Sequence, residues 1–295
     1  MSTVLYYILY GVFYAVSLLP FRVLYALSDG AYVLLYHVTR YRRKVVRKNL
    51  TNSFPEKSID EIRDIERGFY HWLCDYLNET IKLLSISEEK LHKHLEFRGL
   101  DIVEDYFDKG RTCSALLGHY CNWEWLSATS IGFVRHKEAV TGLIYHPLFN
   151  KTFDRLFLKI RQSMGGTCIA KNDILRCIVQ YRREGKKTLM GYIADQCPKW
   201  TSIHLWIEFM NQDTPVFTGG EKIMRSCNDA VFYLEMKRPE RGKYVATFKL
   251  MTDNPAALEE FAITRMFFSL LEAQIKEAPQ YYLWSHNRWK RKRDV

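Results

Sequence analysis

Short apolar runs separated by amphipathic stretches most restrict what this chain can fold into. Ala115-Leu116-Leu117, Glu138 to Tyr145, Thr167 to Ala170 and Thr188 to Ala194 read as strands. Between them the period changes to that of a helix. One begins at Asn122. One runs from Leu148 to Ser163 with Phe149, Phe153, Leu156, Phe157 and Ile160 on one stripe. One ends at Arg183. Strands alternating with helices build a mostly parallel sheet with helices on its faces. Later, Val231 to Met236 and Lys243 to Leu250 flank Arg238-Pro239-Glu240-Arg241-Gly242, a β-hairpin pattern, and a final amphipathic helix covers Pro255 to Ile275. The expected fold is α/β: a mostly parallel central sheet flanked by helices, with a late hairpin. Ligands of such sheets sit outside the carboxyl ends of the strands. His119, His146 and Asp195 all follow strand ends, which places them on one edge.

The corner from Thr112 to Leu126 is the richest in chemistry. Gly118 turns the chain after the strand, His119 stands at the exit, and Asn122 can cap the helix opening Trp123-Glu124-Trp125. Five helical steps rotate by about 140°, so His119 and Glu124 would not share a face of one helix. Across a strand–turn–helix corner they can meet. A carboxylate on one ring nitrogen fixes the tautomer and leaves the other nitrogen free as a base. The plain alternative is a satisfied turn histidine beside a first-turn acid favoured by the helix dipole.

Residues 1 to 21 carry no charge, and apolar character resumes from Val23 to Val38. About 20 apolar residues can cross a hydrocarbon core. Tyrosines in the segment and the break at Pro20 suit either a membrane-anchor helix or a helical hairpin lying in one leaflet. No basic region precedes the run, which argues against a secretory signal. Six basic residues follow within Arg40 to Lys48, as expected of cytoplasmic juxtamembrane charge, or of a solvated helix face. The division expected is residues 1–39 as anchor or interfacial helices and 40–295 as a catalytic domain. Net charge of +10 points to an anionic partner.

Seven cysteines are scattered with no C-x-x-C pair, which argues against a disulfide framework or zinc site and for a reducing compartment. Cys121 is read as buried packing in preference to a nucleophile. Ser58 and Glu61 form a capping box for a helix to Leu84. His71 within that helix is expected to be a packed core histidine, and His92 and His94 surface residues. A second short helix covers Gly99 to Lys109. Residues 197–217 read as a loop whose Trp200, Trp206, Phe209 and Met210 line an acyl groove, touch a bilayer, or pack locally. The tail from Pro279 to Arg293, basic with Trp289 interleaved, suits an anionic surface. Phosphate-binding loops, a G-x-S-x-G elbow and H-E-x-x-H are absent from the sequence.

The stretch Gly118-His119-Tyr120-Cys121-Asn122-Trp123-Glu124 resembles the H-x4-[D/E] motif of the late acyltransferases of lipid A biosynthesis, lauroyl/myristoyl transferase relatives in the lysophospholipid acyltransferase superfamily. Arg161 followed by Gly165-Gly166 looks like the family's arginine–glycine segment, and Ala194-Asp195-Gln196 like its D-Q motif. Pro279 to Lys290 is close to its terminal P-x-Q-Y-L-W-x-H-R-R-F-K. Cys121 stands where that family usually has glycine, and Asn287 and Trp289 replace Arg and Phe.

The resemblance implies transfer of a fatty acyl chain from acyl carrier protein to a hydroxyl of a phosphorylated glycolipid, a lipid A precursor. The implied setting is the cytoplasmic side of the bacterial inner membrane. His119 would be the general base and Glu124 would orient it. Arg161, Asp195, Gln196 and Asn122 would bind substrate or the oxyanion. No metal or other cofactor and no nucleic-acid partner is implied. Another glycolipid or phospholipid acceptor, or a non-catalytic membrane-binding relative, are the alternatives.

Overall fold

The computed structural model describes residues 3–293, so Met1 and Ser2 at the head of the apolar segment lie outside it. The chain opens with helices α1 (Thr3–Leu18) and α2 (Phe21–Tyr32), and α2 continues as a π-helical turn, Val33–Val38. The two helical arms meet at an angle of 117° at Pro20. Among the described residues no single helix is long and apolar enough to cross a membrane, although the bent pair qualifies by length and composition. Of the two arrangements expected for this segment, a single anchor helix and a helical hairpin, the described residues form two bent helices and no single anchor helix. Pro20 lacks an N–H to continue α1 and sits as the N-cap of α2.

The basic stretch folds as α3 (Arg43–Ser53), followed by α4 (Ile59–Lys82). Ser58 and Glu61 make the capping box at the start of α4. Arg43 and Arg47 turn inward onto the buried Glu66 carboxylate of α4 at 2.8 and 2.5 Å, so only part of this charge is a solvated face. Lys82 donates to the Ser17 and Leu19 carbonyls at 2.6 and 2.9 Å, placing a cation at the C-terminus of α1. His71 is exposed, with its ring stacked 3.5 Å from that of Tyr32, and not a core residue. The helical period carried Trp72 and Leu73 inward and left the neighbouring position outside.

Next come α5 (Glu88–His92), β1 (Leu95–Arg98), α6 (Leu100–Asp108) and β2 (Cys113–Leu117). A 3-10 helix (Trp123–Gly132) follows, then β3 (Val140–Tyr145), α7 (Lys151–Gln162), β4 (Thr167–Ala170), α8 (Ile174–Arg183) and β5 (Thr188–Ile193). Residues read as a loop contain a hairpin, β6 (Leu205–Phe209) and β7 (Gln212–Val216). It buries Phe209 and Met210 and leaves Trp200 exposed. The polar β7 strand, with Pro215 inside it, conceals the alternation by which strands are recognised. The chain closes with α9 (Gly219–Cys227), β8 (Ala230–Glu240), β9 (Lys243–Thr252) and α10 (Ala262–Glu277).

Seven strands form one sheet in the order β1-β9-β8-β2-β5-β3-β4. Every neighbouring pair is parallel except the β8–β9 hairpin. The fold is thus mixed α/β with a mostly parallel central sheet and flanking helices. β2 lies at its centre with all five residues buried.

Candidate active site

The site grows from sheet register. Leu117 on β2 is the parallel partner of Ile193 on β5. Two residues further on, the chains leave the sheet side by side at His119 and Asp195. His119 Nδ1 lies 2.6 Å from Asp195 Oδ1, and the His119 backbone N–H donates to Asp195 Oδ2 at 3.1 Å. An ionised carboxylate only accepts, so Nδ1 carries the proton and Nε2 is the unprotonated, accepting nitrogen. Gln196 Nε2 sits 3.1 Å from that nitrogen and donates to it. Burial pushes the Asp195 carboxyl up. The His119 ring, the two bonds from His119 and the charge of Arg288 outweigh this and hold it below the usual carboxylate range.

Glu124 does not touch the imidazole. Its carboxylate is turned away to Arg161, which grips it with Nε at 2.7 Å and Nη2 at 2.6 Å. The carboxylate on the ring nitrogen, expected five residues along the chain, is instead that of Asp195, supplied by the neighbouring strand. The reason is the 3-10 turn: it carries the Glu124 side chain toward α7, whose last turn holds Arg161. Gly166 allows that approach, because a Cβ there would stand 2.8 Å from both the Arg161 and Ser127 carbonyls.

Trp123 separates the two ion pairs. Its ring lies edge-to-face 5.0 Å from that of His119, and its indole N–H donates to Glu124 Oε1 at 3.2 Å. Asn122 faces inward. It accepts from Trp125 N as the N-cap and donates to Glu79 at 2.8 Å, so it supports the corner and is not available to substrate. His146 is exposed on its loop after β3 and joins neither pair.

Three parts of this site escaped sequence reasoning. Glu79 is a buried hub that accepts from Tyr25, Asn122 and Tyr244 at 3.0, 2.8 and 2.6 Å. Burial raises its carboxyl, against the pull of Arg238 and the tyrosines. The signal was present: Glu79, like Glu66 and Asp75, lies on the apolar stripe of α4. Trp123 stood in plain view within the motif. The tail is the third. Trp284 and Arg288 are buried, so the basic tail is not simply a solvated cationic surface. Tyr282 bridges to Tyr120, Leu283 N donates to the His119 carbonyl at 3.1 Å, and Tyr281 O accepts from Cys121 N at 2.9 Å.

Cys121 has φ +50°, a left-handed conformation that favours glycine. Its thiol is buried, and that burial raises it well above an ordinary thiol, which makes it inert as a nucleophile. Among the described residues no group of three or more His, Cys, Asp or Glu side chains is placed to hold a metal ion. Hollows of about 300 Å³ near Thr218 and Arg225 and about 620 Å³ near Leu175 and Arg183 contain none of these groups.

At the exit of the central strand of a parallel sheet the chain thus sets a histidine held by a buried carboxylate, with a clamped arginine beside it. The chain belongs to the bacterial lipid A biosynthesis acyltransferase family, whose model matches residues 1–291. It is similar to a lipid A biosynthesis acyltransferase of Haemophilus influenzae, 21% identical over 281 residues, covering 93% of this chain and 84% of that protein. It is also similar to the lipid A biosynthesis lauroyltransferase of Escherichia coli K12, 24% identical over 281 residues, covering 95% and 89%.

Proposed function

We propose that this acyltransferase moves a fatty acyl chain from the thioester of acyl carrier protein to a hydroxyl of a lipid A precursor. The observation that carries the reading is the unprotonated Nε2 of His119, which accepts only from the Gln196 amide that the acceptor hydroxyl would displace, with Asp195 fixed on Nδ1 at 2.6 Å. Nε2 takes the proton of the acceptor hydroxyl as its oxygen attacks the thioester carbonyl. The new C–O bond forms, the C–S bond breaks, and the departing thiolate takes the proton back from the imidazolium. Asp195 stabilises that cation. The carbonyl oxygen becomes an oxyanion on the way and needs preorganised donors. Arg161 retains Nη1 after binding Glu124, and the Gln196 amide lies beside the base. These are the groups we assign to oxyanion or acceptor phosphate.

The setting proposed is the cytoplasmic face of the bacterial inner membrane. Residues 1–39 would rest on the bilayer and 40–295 would form the catalytic domain. Val4, Ile8, Val12, Leu27, Leu34 and Val38 are exposed on the bent pair, an apolar surface that suits a lipid interface. Phe149 adds a fully exposed ring. Net charge of +10 suits both an acidic carrier protein and an anionic lipid.

The test incubates purified protein with acyl carrier proteins charged with chains of different length and a panel of lipid A precursors, other glycolipids and phospholipids. Mass spectrometry reads the products. A single added acyl ester on a lipid A precursor is the expected result. Transfer to phospholipid alone would reassign the acceptor, and no transfer from any acyl carrier protein would overturn the donor.

A further inference from the structure

A single residue of α4 holds the active-site corner at both ends. Glu79 is 1% exposed. Its Oε2 accepts from the Asn122 amide at 2.8 Å, and its main-chain carbonyl accepts from the Trp125 indole N–H at 2.8 Å. Asn122 in turn caps Trp125 N through Oδ1 at 3.3 Å. Trp123 and Glu124 lie between these attachments, and they reach the two ion pairs. Trp123 packs on the His119 ring and donates to Glu124, and Glu124 binds Arg161. A shift of the turn would move both.

The Glu79 carboxylate is itself held from several elements. Tyr244 of β9 donates to Oε2 at 2.6 Å, and Tyr25 of α2 donates to Oε1 at 3.0 Å. With Asn122 this puts three donors on two oxygens, a set that an ionised carboxylate accepts. Arg238, its side chain 5% exposed, lies 3.9 Å away while bound to Asp75 at 2.7 Å. A buried carboxylate is costly without such partners. What directed hydrogen bonds add over apolar packing is a fixed geometry. Gly242, at φ +76°, leaves room for the brace from α2, because a Cβ there would overlap the Tyr25 hydroxyl.

We propose that Glu79 is a positioning residue for acyl transfer. Braced by Tyr25, it sets the turn from Asn122 to Trp125 so that Trp123 and Glu124 stay in register with His119 and Arg161. Its side-chain hydrogen bonds reach neither His119 nor Arg161, so it acts through the turn. The kinetic consequence rests on the acyl-transfer reading of this site; the placement of the turn does not.

The experiment exchanges the two ends of one hydrogen bond. Glu79→Gln and Asn122→Asp are made singly and together in the full-length protein, beside Tyr25→Phe. Asn122→Asp alone sets carboxylate against carboxylate, and Glu79→Gln alone turns an acceptor into a donor among donors. Together, the amide donates to the carboxylate and the bond is remade in reverse, while an Asp side chain caps as well as Asn. The indole N–H signal of Trp123 in tryptophan-labelled protein, assigned with Trp123→Phe, reads the turn by NMR without substrate. Each single variant shifts or broadens that signal and lowers kcat by about tenfold or more with KM little changed, and the double variant regains both. Tyr25→Phe moves the signal the same way by less. An unmoved Trp123 signal in the folded single variants would overturn the proposal. So would a double variant that regains its melting temperature but neither the signal nor kcat, since Glu79 then serves packing alone. If Glu79→Gln does not fold, Tyr25→Phe decides, and an unmoved signal there overturns the proposal. Wild-type protein that transfers no acyl chain would strike the acyltransferase reading and leave the Trp123 measurement to judge the role of Glu79.

Discussion

His119 and Asp195 stand two positions beyond Leu117 and Ile193, register partners on adjacent parallel strands, and their side chains meet at 2.6 Å. The pair is thereby fixed by the ladder of the sheet and not by loop conformation. Asp195→Asn would keep the shape but allow the wrong tautomer. It should lower kcat by about 10²- to 10⁴-fold. It should also move the acid limb of kcat/KM, whereas Glu124→Gln lowers the rate and leaves that limb in place. Rate–pH profiles of the two variants separate these roles. A displaced limb in Glu124→Gln with an unchanged one in Asp195→Asn would return the orienting function to Glu124.

The Glu124–Arg161 pair is partly buried, with the arginine side chain 23% and the carboxylate 3% exposed. Removing one partner leaves the other charge uncompensated. Glu124→Ala should cost about 3 kcal/mol, the low end for a buried pair because Arg161 keeps some solvent. The double variant with Arg161→Ala should be more stable than the sum of the singles by about 1 kcal/mol or more. Urea denaturation of all four proteins gives the coupling; strict additivity would mean that the contact carries no energy of its own.

Acid lability has a named contributor. His286 is held at about 4 in the folded protein, against an ordinary value of 6.5. Between those values the unfolded chain binds a proton that the folded one refuses. The stability is complete above pH 6.5 and is lost as pH falls toward 4. With Nε2 buried and unpaired, the loss should approach about 3 kcal/mol. His286→Phe should flatten this part of the stability profile, followed by thermal melts from pH 4.5 to 7.5. A wild-type slope retained in full by the variant assigns it elsewhere.

Cys121 tests backbone against side chain. At φ +50° a β-branched residue is disfavoured and glycine is not. Cys121→Gly should stay within about 1 kcal/mol of wild type, relief of strain offsetting lost burial, and Cys121→Val should cost more than about 2 kcal/mol. In the native protein, mass mapping after treatment with a thiol reagent should find Cys121 unlabelled and transfer activity retained. Rapid labelling with parallel inactivation would revive it as a nucleophile.

Local pattern carried much of this architecture. Alternating periods led to the parallel sheet, Ser58 and Glu61 to the start of α4, and strand ends to the shared edge of His119 and Asp195. Pairing of β2 with β5 was hidden, because strand order in a parallel sheet depends on crossover packing and not on spacing. Hence the nearby Glu124 was matched to His119 and the distant Asp195 was not. The tail was misread for a related reason. A run containing Arg288, Lys290, Arg291, Lys292 and Arg293 looks exposed by composition, yet Arg288 is buried and donates to Pro215 of β7, and Arg291 donates to Pro198 after β5. Only a long-range fold can bury such a residue.

The bond from Leu283 to the His119 carbonyl ties together distant parts of the chain. Contacts of that separation form after local helices and neighbouring strands, because loop closure must come first. On refolding, the sheet can assemble and bring His119 to Asp195 before the last turn of chain is fastened over them. Catalytic competence would then be a late-maturing property, lagging behind the recovery of secondary structure. A protein clipped between α10 and Leu283 would look folded by its helices and strands while its base stood in an unclasped corner.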